Sequence, residues 1–132
     1  MLSVFPQLFF LEQIAPTLLR LILGVIFIIH GYSKLYGNFD GSVRYFESEG
    51  VKNAKTWVWV SGIFELIGGL LVFAGFLTQV AVLFLIVDRL ASMIRIKLRK
   101  GFFSYEFDLV LIAIALALLF LGPGFFSIDL PY

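Results

Sequence analysis

Four apolar stretches, each close to the length of a bilayer-spanning helix, fill most of this 132-residue chain and leave little room for another architecture. They run from Pro16 to Tyr36, Trp57 to Gly75, Thr78 to Ile96 and Tyr105 to Leu121. A helix rises ~1.5 Å per residue, so about 20 residues cross ~30 Å of hydrocarbon. The expected fold is an all-α membrane protein, an antiparallel four-transmembrane-helix bundle. A short amphipathic segment, Ser42–Ser48, lies between the first and second spans. Residues 1–132 form one domain, because four spans leave no length for a separate catalytic unit.

Charge inside such spans is the second constraint. An ionised side chain at a helix centre costs at least ~2.5–3.5 kcal/mol, so it is paired or functional. Arg20, His30, Glu65, Asp88 and Arg89 are such residues. The chain is 61% hydrophobic and 14% charged, unlike a soluble globular domain. It has no cysteine, which excludes disulfides, iron–sulfur clusters, thiolate metal sites and a thiol nucleophile. No phosphate loop, dinucleotide glycine motif or serine elbow occurs. Met1–Gln13 lacks a basic leader region and contains Pro6 and Glu12, so it does not read as a signal peptide. It reads as a surface segment, with Phe5, Phe9 and Phe10 toward lipid.

Basic residues set the orientation. Lys34, Arg44, Lys52 and Lys55 follow the first span, and Arg95, Lys97, Arg99 and Lys100 follow the third. The N-terminal segment, the turn at Phe76–Thr78 and the C-terminal tail have no lysine or arginine. The positive-inside rule then places both basic connections in the cytoplasm and both termini outside, in an inner or plasma membrane. Arg20, near the outer end of the first span, opposes this alone. The run Arg95–Lys100 reads as an anchor at anionic headgroups rather than as a nucleic-acid site.

Helical phase sorts polar residues onto faces. Arg20, Gly24, Phe27, Gly31 and Lys34 share a stripe on the first span, with His30 beside it. Ser61, Gly62, Glu65, Gly68 and Gly69 form a small-residue face around one acid on the second. The third aligns Asp88, Ser92, Arg95 and Arg99, and the fourth Glu106, Ala113, Ala117 and Gly124. Small residues let membrane helices approach closely, and they serve packing within the chain or a homo-oligomer equally well. By helical rise, His30, Lys34, Glu65, Asp88, Arg89 and Glu106 meet in the cytoplasmic half. Two readings fit that convergence: ion pairs that pin the helices, or a polar pocket for the head of a lipid-soluble ligand or for proton relay.

His30 is the sole histidine, so a bis-histidine haem is excluded and His30–Met93 is the remaining axial pair. Methionine on a helix is more often packing, and zinc usually takes several His or Cys ligands, so no metal site is expected. Asp40, Glu47 and Glu49 read as a solvated loop face. Arg20 reads as structural, either paired with Asp129 by a tail that turns back at Gly122-Pro123-Gly124 or snorkelling to headgroup phosphate beside a solvated tail.

These motifs resemble the DoxX family of small four-helix membrane proteins. The resemblance rests on Ala15-Pro-Thr-Leu-Leu-Arg20, Leu23-Gly24, His30-Gly31 with Lys34-Leu35, and Glu65-Leu-Ile-Gly68-Gly69. Gly75, Thr78, Gly101-Phe102, Tyr105-Glu106-Phe107 and Gly122-Pro-Gly124-Phe-Phe-Ser127-Ile-Asp129 continue it in order. Asp88 and Arg89 depart from it, standing where apolar residues are typical. The resemblance implies a membrane subunit of a quinone-linked oxidoreductase or of a stress-related redox complex. Arg20, His30, Lys34, Glu65, Glu106 and Asp129 are the positions that match its motif. A non-covalently bound quinone, or an oxidoreductase subunit as partner, would supply the redox chemistry. A membrane scaffold or assembly factor is the alternative, as is a small transporter or lipid-binding protein.

Overall fold

A computed structural model of the chain describes residues 4–12, 14–124 and 127–128, without the side chains of Phe9 and Phe10. The expected lipid-facing role of those two rings therefore lies outside the described residues. Phe5, which precedes a 3-10 turn at Pro6–Leu11, is exposed. Five α-helices follow: α1 (Ile14–Tyr32), α2 (Phe39–Ser48), α3 (Ala54–Ala74), α4 (Thr78–Arg95) and α5 (Phe102–Leu121). A π turn at Ser33–Gly37 extends α1, and a 3-10 turn at Lys97–Lys100 links α4 to α5. All regular structure among the described residues is helical.

Three segments are long and apolar enough to cross a membrane: Ile14–Gly37, Ala54–Ala74 and Phe102–Leu121. The 18 residues of α4 include Asp88, Arg89 and Arg95, which interrupt its apolar character. Two boundaries differ from the sequence expectation. Helix α3 starts at Ala54, ahead of Trp57, and α5 starts at Phe102, ahead of Tyr105. In both, polar or aromatic interface residues continue the helix beyond its apolar run. The amphipathic segment is α2, and it begins three residues before Ser42.

Helix α1 lies along α3, α3 along α4 and α4 along α5, while α1 also touches α5. Glycine sets the closest of these contacts. A Cβ on Gly24 would come within 2.9 Å of the Gly69 carbonyl, and one on Gly69 within 2.9 Å of the Gly24 carbonyl. One turn-pair further on, Gly31 lies against Gly62 and Leu66. The pairing of rising with falling residue numbers makes α1 and α3 antiparallel. The small faces are thus used inside the chain, where close backbone approach replaces the hydrophobic effect that lipid cannot supply.

The main core joins Leu23 and Phe27 of α1, Val72 of α3, Val82 and Leu85 of α4, and Leu111 and Leu118 of α5. A second cluster of Phe46, Ala54, Val58 and Ile96 holds α2 at the basic end of the molecule. Outward-facing Ile22, Ile29, Ile67, Val87 and Phe120 are all more than half exposed. A continuous apolar exterior of this kind suits lipid, not water.

Candidate functional site

The site starts from Glu65, which α3 presents in the middle of its small-residue face and which is fully buried. A carboxylate buried without partners is prohibitively costly, so its neighbours decide whether it is tolerated. The π turn after α1 brings Lys34 Nζ to 2.9 Å from Glu65 Oε1 and 2.9 Å from Ser61 Oγ. From α4, Arg89 Nη2 donates to the same Glu65 oxygen.

Arg89 is the hub. Its Nη2 also donates to Asp88 Oδ2 at 2.9 Å, its Nε reaches that oxygen at 3.2 Å, and its Nη1 donates to Asp108 Oδ1 at 3.3 Å. Phe27 covers the guanidinium, with its ring centre 5.6 Å away. Ser61 donates to Asp88 Oδ1 at 2.5 Å, and Lys97 Nζ lies 2.9 Å from Asp108 Oδ2. The network therefore balances Glu65, Asp88 and Asp108 against Lys34, Arg89 and Lys97, and ties α1, α3, α4 and α5 together. Balanced, hydrogen-bonded charge is the arrangement that a low-dielectric interior accepts.

A cavity of about 350 Å3 opens beside this network toward α2. His30, Lys34, Arg89, Ser92 and Lys97 line it, with Phe46 and Ile96 as apolar wall. None of the three acids of the network lines it. The charged groups at the wall are therefore donors, and the acids lie behind them. Ser92 is 3% exposed and its Oγ has no hydrogen-bond partner among the described residues. His30 is half-buried at the wall, its ring 5.9 Å from that of Phe107.

The structure thus brings His30, Lys34, Glu65, Asp88 and Arg89 to one place. It puts Glu106 elsewhere: that side is exposed, and Asp108 is the acid that α5 buries. The inward stripe of α5 is Asp108, Leu111, Ile112, Ala115 and Leu118, two residues out of phase with the expected one. The recurrence of 108, 111, 115 and 118 at spacings of three and four was the available signal. Lys97 was read as a headgroup anchor, yet it turns inward to Asp108 because the 3-10 turn breaks the phase of α4. Arg95 is exposed rather than inward, stacked 4.6 Å from the Trp57 ring.

Arg20 belongs to the opposite end. It is 1% exposed, and its guanidinium lies under the Gly75 turn beside Ser127. Gly75 has φ 74° and leaves room that a Cβ would take from Arg20. Ile128 N donates to Ala74 O at 3.3 Å, so the chain after Gly124 returns to this turn. Asp129, the expected partner of Arg20, lies outside the described residues. Met93 packs in the main core. Among the described residues no three His, Asp or Glu side chains converge as a metal donor set.

The family model described as DoxX matches residues 15–97, and the chain belongs to that family. It is 35% identical over 118 residues to the "Putative oxidoreductase CatD" of Bacillus subtilis (strain 168), covering 89% of this chain and 86% of that protein. It is 32% identical over 126 residues to the "Uncharacterized membrane protein Rv3486" of Mycobacterium tuberculosis (strain ATCC 25618 / H37Rv), covering 84% of this chain and 77% of that protein. No solved structure matches.

Proposed function

We propose that this DoxX-family protein is the membrane subunit of a quinone-linked oxidoreductase or stress-related redox complex, and that the cavity beside Arg89 receives the ligand's polar head. In this reading four helices, α1, α3, α4 and α5, cross the membrane antiparallel to one another. Both termini are outside, and the basic end, with α2, is cytoplasmic.

The observation that carries the reading is the donor-lined cavity set against a charge-balanced network. Lys34 and Lys97 each keep N–H groups beyond those their acids accept, and Ser92 Oγ has no hydrogen-bond partner among the described residues. With three acids directly behind three bases, the wall offers hydrogen bonds without net charge. Such a wall suits a neutral acceptor, as the carbonyl of a quinone ring is, better than a full anion. Reduction of a bound quinone to the quinol takes two electrons and two protons. His30, at the wall, is placed to exchange protons with it, and Glu65 lies one residue behind, through Lys34. A chain without cysteine has no thiol pair to supply the electrons, so they come from a partner subunit. The Bacillus subtilis relative's name is consistent with such chemistry.

Extraction in mild detergent followed by mass spectrometry of the co-purified lipids tests this. A stoichiometric quinone that Ser92→Val or Lys34→Met removes is the expected result. Ordinary phospholipid alone, with intact co-purifying complexes, would replace it by the scaffold reading, which the inter-helix ion network favours.

A further inference from the structure

A second concavity, of about 540 Å3, lies at the same end of the molecule, outside the cavity just described. Lys52, Arg95 and Arg99 line it, together with Glu49, Gly50 and Asn53. Its charge is not balanced. The Glu49 carboxylate is taken by Lys100, and no carboxylate lies within ion-pair distance of Lys52, Arg95 or Arg99 among the described residues. Two of the three cations are held in place. Arg95 stacks on Trp57, and Arg99 Nη2 donates to Glu49 O at 3.2 Å and Arg95 O at 2.7 Å. Asn53 forms no side-chain cap to α3, which leaves the first amides of that 21-residue helix available beside the same concavity.

Its position selects the ligand. The concavity sits where α3 and α4 begin and end, at the boundary of their apolar faces. Ile94, next to Arg95 in sequence, and Trp59, near the start of α3, are exposed, and further along the α3–α4 seam Phe64 and Phe84 are exposed with ring centres 5.7 Å apart. A phosphate in the concavity would have its acyl chains beside that apolar seam. Fixed arginines favour a phosphate oxygen pair over a single-point contact.

We propose that the concavity formed by Lys52, Arg95 and Arg99 is a specific site for the phosphate of an acidic phospholipid. It is independent of the quinone reading, since no residue is shared between the two cavities. The site holds one lipid at the junction of α2, α3 and α4, and so sets how the cavity end of the molecule sits in the headgroup layer.

Delipidated full-length protein in detergent, offered phosphatidylglycerol or phosphatidylcholine and read by native mass spectrometry, tests the site. One tightly retained phosphatidylglycerol is expected. R95Q/R99Q should weaken it roughly 25-fold, at about fivefold for each charge near the surface. Lys55→Gln, the same charge change outside the concavity, should leave it within about twofold of the parent if the site is specific. Equal retention of phosphatidylcholine, or equal loss in Lys55→Gln, would overturn the site. Displacement of the lipid by sn-glycerol 3-phosphate would overturn its lipid character and make it a soluble-anion site. Because Arg95 also packs on Trp57, Lys52→Gln serves as a second variant, and its failure to weaken retention would count against the proposal.

Discussion

The interior of α4 at Asp88–Arg89 and the basic stretch that begins at its last residue, Arg95, handle charge in opposite ways. Around Asp88–Arg89 the acids and Arg89 are buried, Lys34 is part-buried, and each is answered by a partner of opposite sign, across three neighbouring segments. From Arg95 onward, nearly two turns beyond, the side chains of Arg95, Arg99 and Lys100 are exposed, and Arg95 and Arg99 pair with a ring and with carbonyls instead of acids, while Lys97 turns back to the buried set through Asp108. The sequence alone presents both as charges on one apolar helix. What separates them is depth. Removing a charge from water costs far more than a surface pair returns, so the buried set must be complete while the surface set need not be. Only the incomplete set is left with net charge to offer a ligand.

Breaking the buried set should have the largest effect. Glu65→Ala leaves Arg89 and Lys34 without their shared acceptor, and is expected to destabilise by about 3–5 kcal/mol. Thermal unfolding in detergent measures this. Glu65→Ala together with Arg89→Met should recover part of the loss, because one charge of each sign is removed and Lys34 and Asp88 still meet through Ser61. A double variant no more stable than Glu65→Ala alone would show that the pair is not a coupled unit.

The next effect discriminates between two acids on α5. Asp108→Asn should cost about 2–3 kcal/mol by leaving Lys97 without its acid and Arg89 with one acid fewer, whereas Glu106→Gln should stay within about 0.5 kcal/mol. Equal losses would place Glu106 in the network and contradict the phase of α5. Smaller again is the close contact of α1 with α3. Gly24→Ala should cost about 1–3 kcal/mol through overpacking against Gly69, and its effect should not depend on protein concentration. A loss that varies with concentration would assign the glycine face to a homo-oligomer.

How much of this was legible depended on how much contrast each helix carries. On α1 and α3 glycines and single charges interrupt an otherwise apolar sequence, so the inward stripes through Arg20–Gly31 and Ser61–Gly69 can be read directly. Helix α5 is apolar almost all round, and its phase is then set by a few polar residues near its start. Choosing Glu106 as the marker rotated the whole face and hid Asp108. Lys97 was unreadable for another reason: a 3-10 turn of four residues reverses which side faces inward, and no periodic argument extends through it. The cavity likewise depends on where α2 docks, which Phe46 and Ile96 decide by contacts distant in sequence.

At the far end of the molecule, Arg20 offers a comparison with Arg89, since both are buried arginines. We propose that Asp129 pairs with Arg20, because Ser127 already lies beside the guanidinium and Ile128 bonds back to Ala74. The returning tail would place a residue two positions past Ser127 within reach of the same turn. An Arg20→Ala and Asp129→Ala cycle should then be non-additive, by about 1–3 kcal/mol for a hydrogen-bonded pair at a partly wet end.

The smallest expected effect belongs to Glu49 and Lys100 on the exposed side. The Glu49 carboxylate accepts a hydrogen bond from Lys100 and raises the lysine's pKa above its usual value. A raised amine pKa adds stability that is fully present below the unfolded value, near ~10.4, and is lost as pH rises through the folded one. At neutral pH, well below both lysine values, the lysine is charged in folded and unfolded chain alike, and the contact is open to solvent and salt. Glu49→Gln and Lys100→Gln should each leave the melting temperature at pH 7 close to that of the parent, with coupling indistinguishable from zero at physiological salt. A coupling that approached that of Glu65 with Arg89 would mean that this surface is shielded from water, by bound lipid or by a partner, and the contrast between the interior of α4 and the basic stretch after it would be one of occupancy and not of depth.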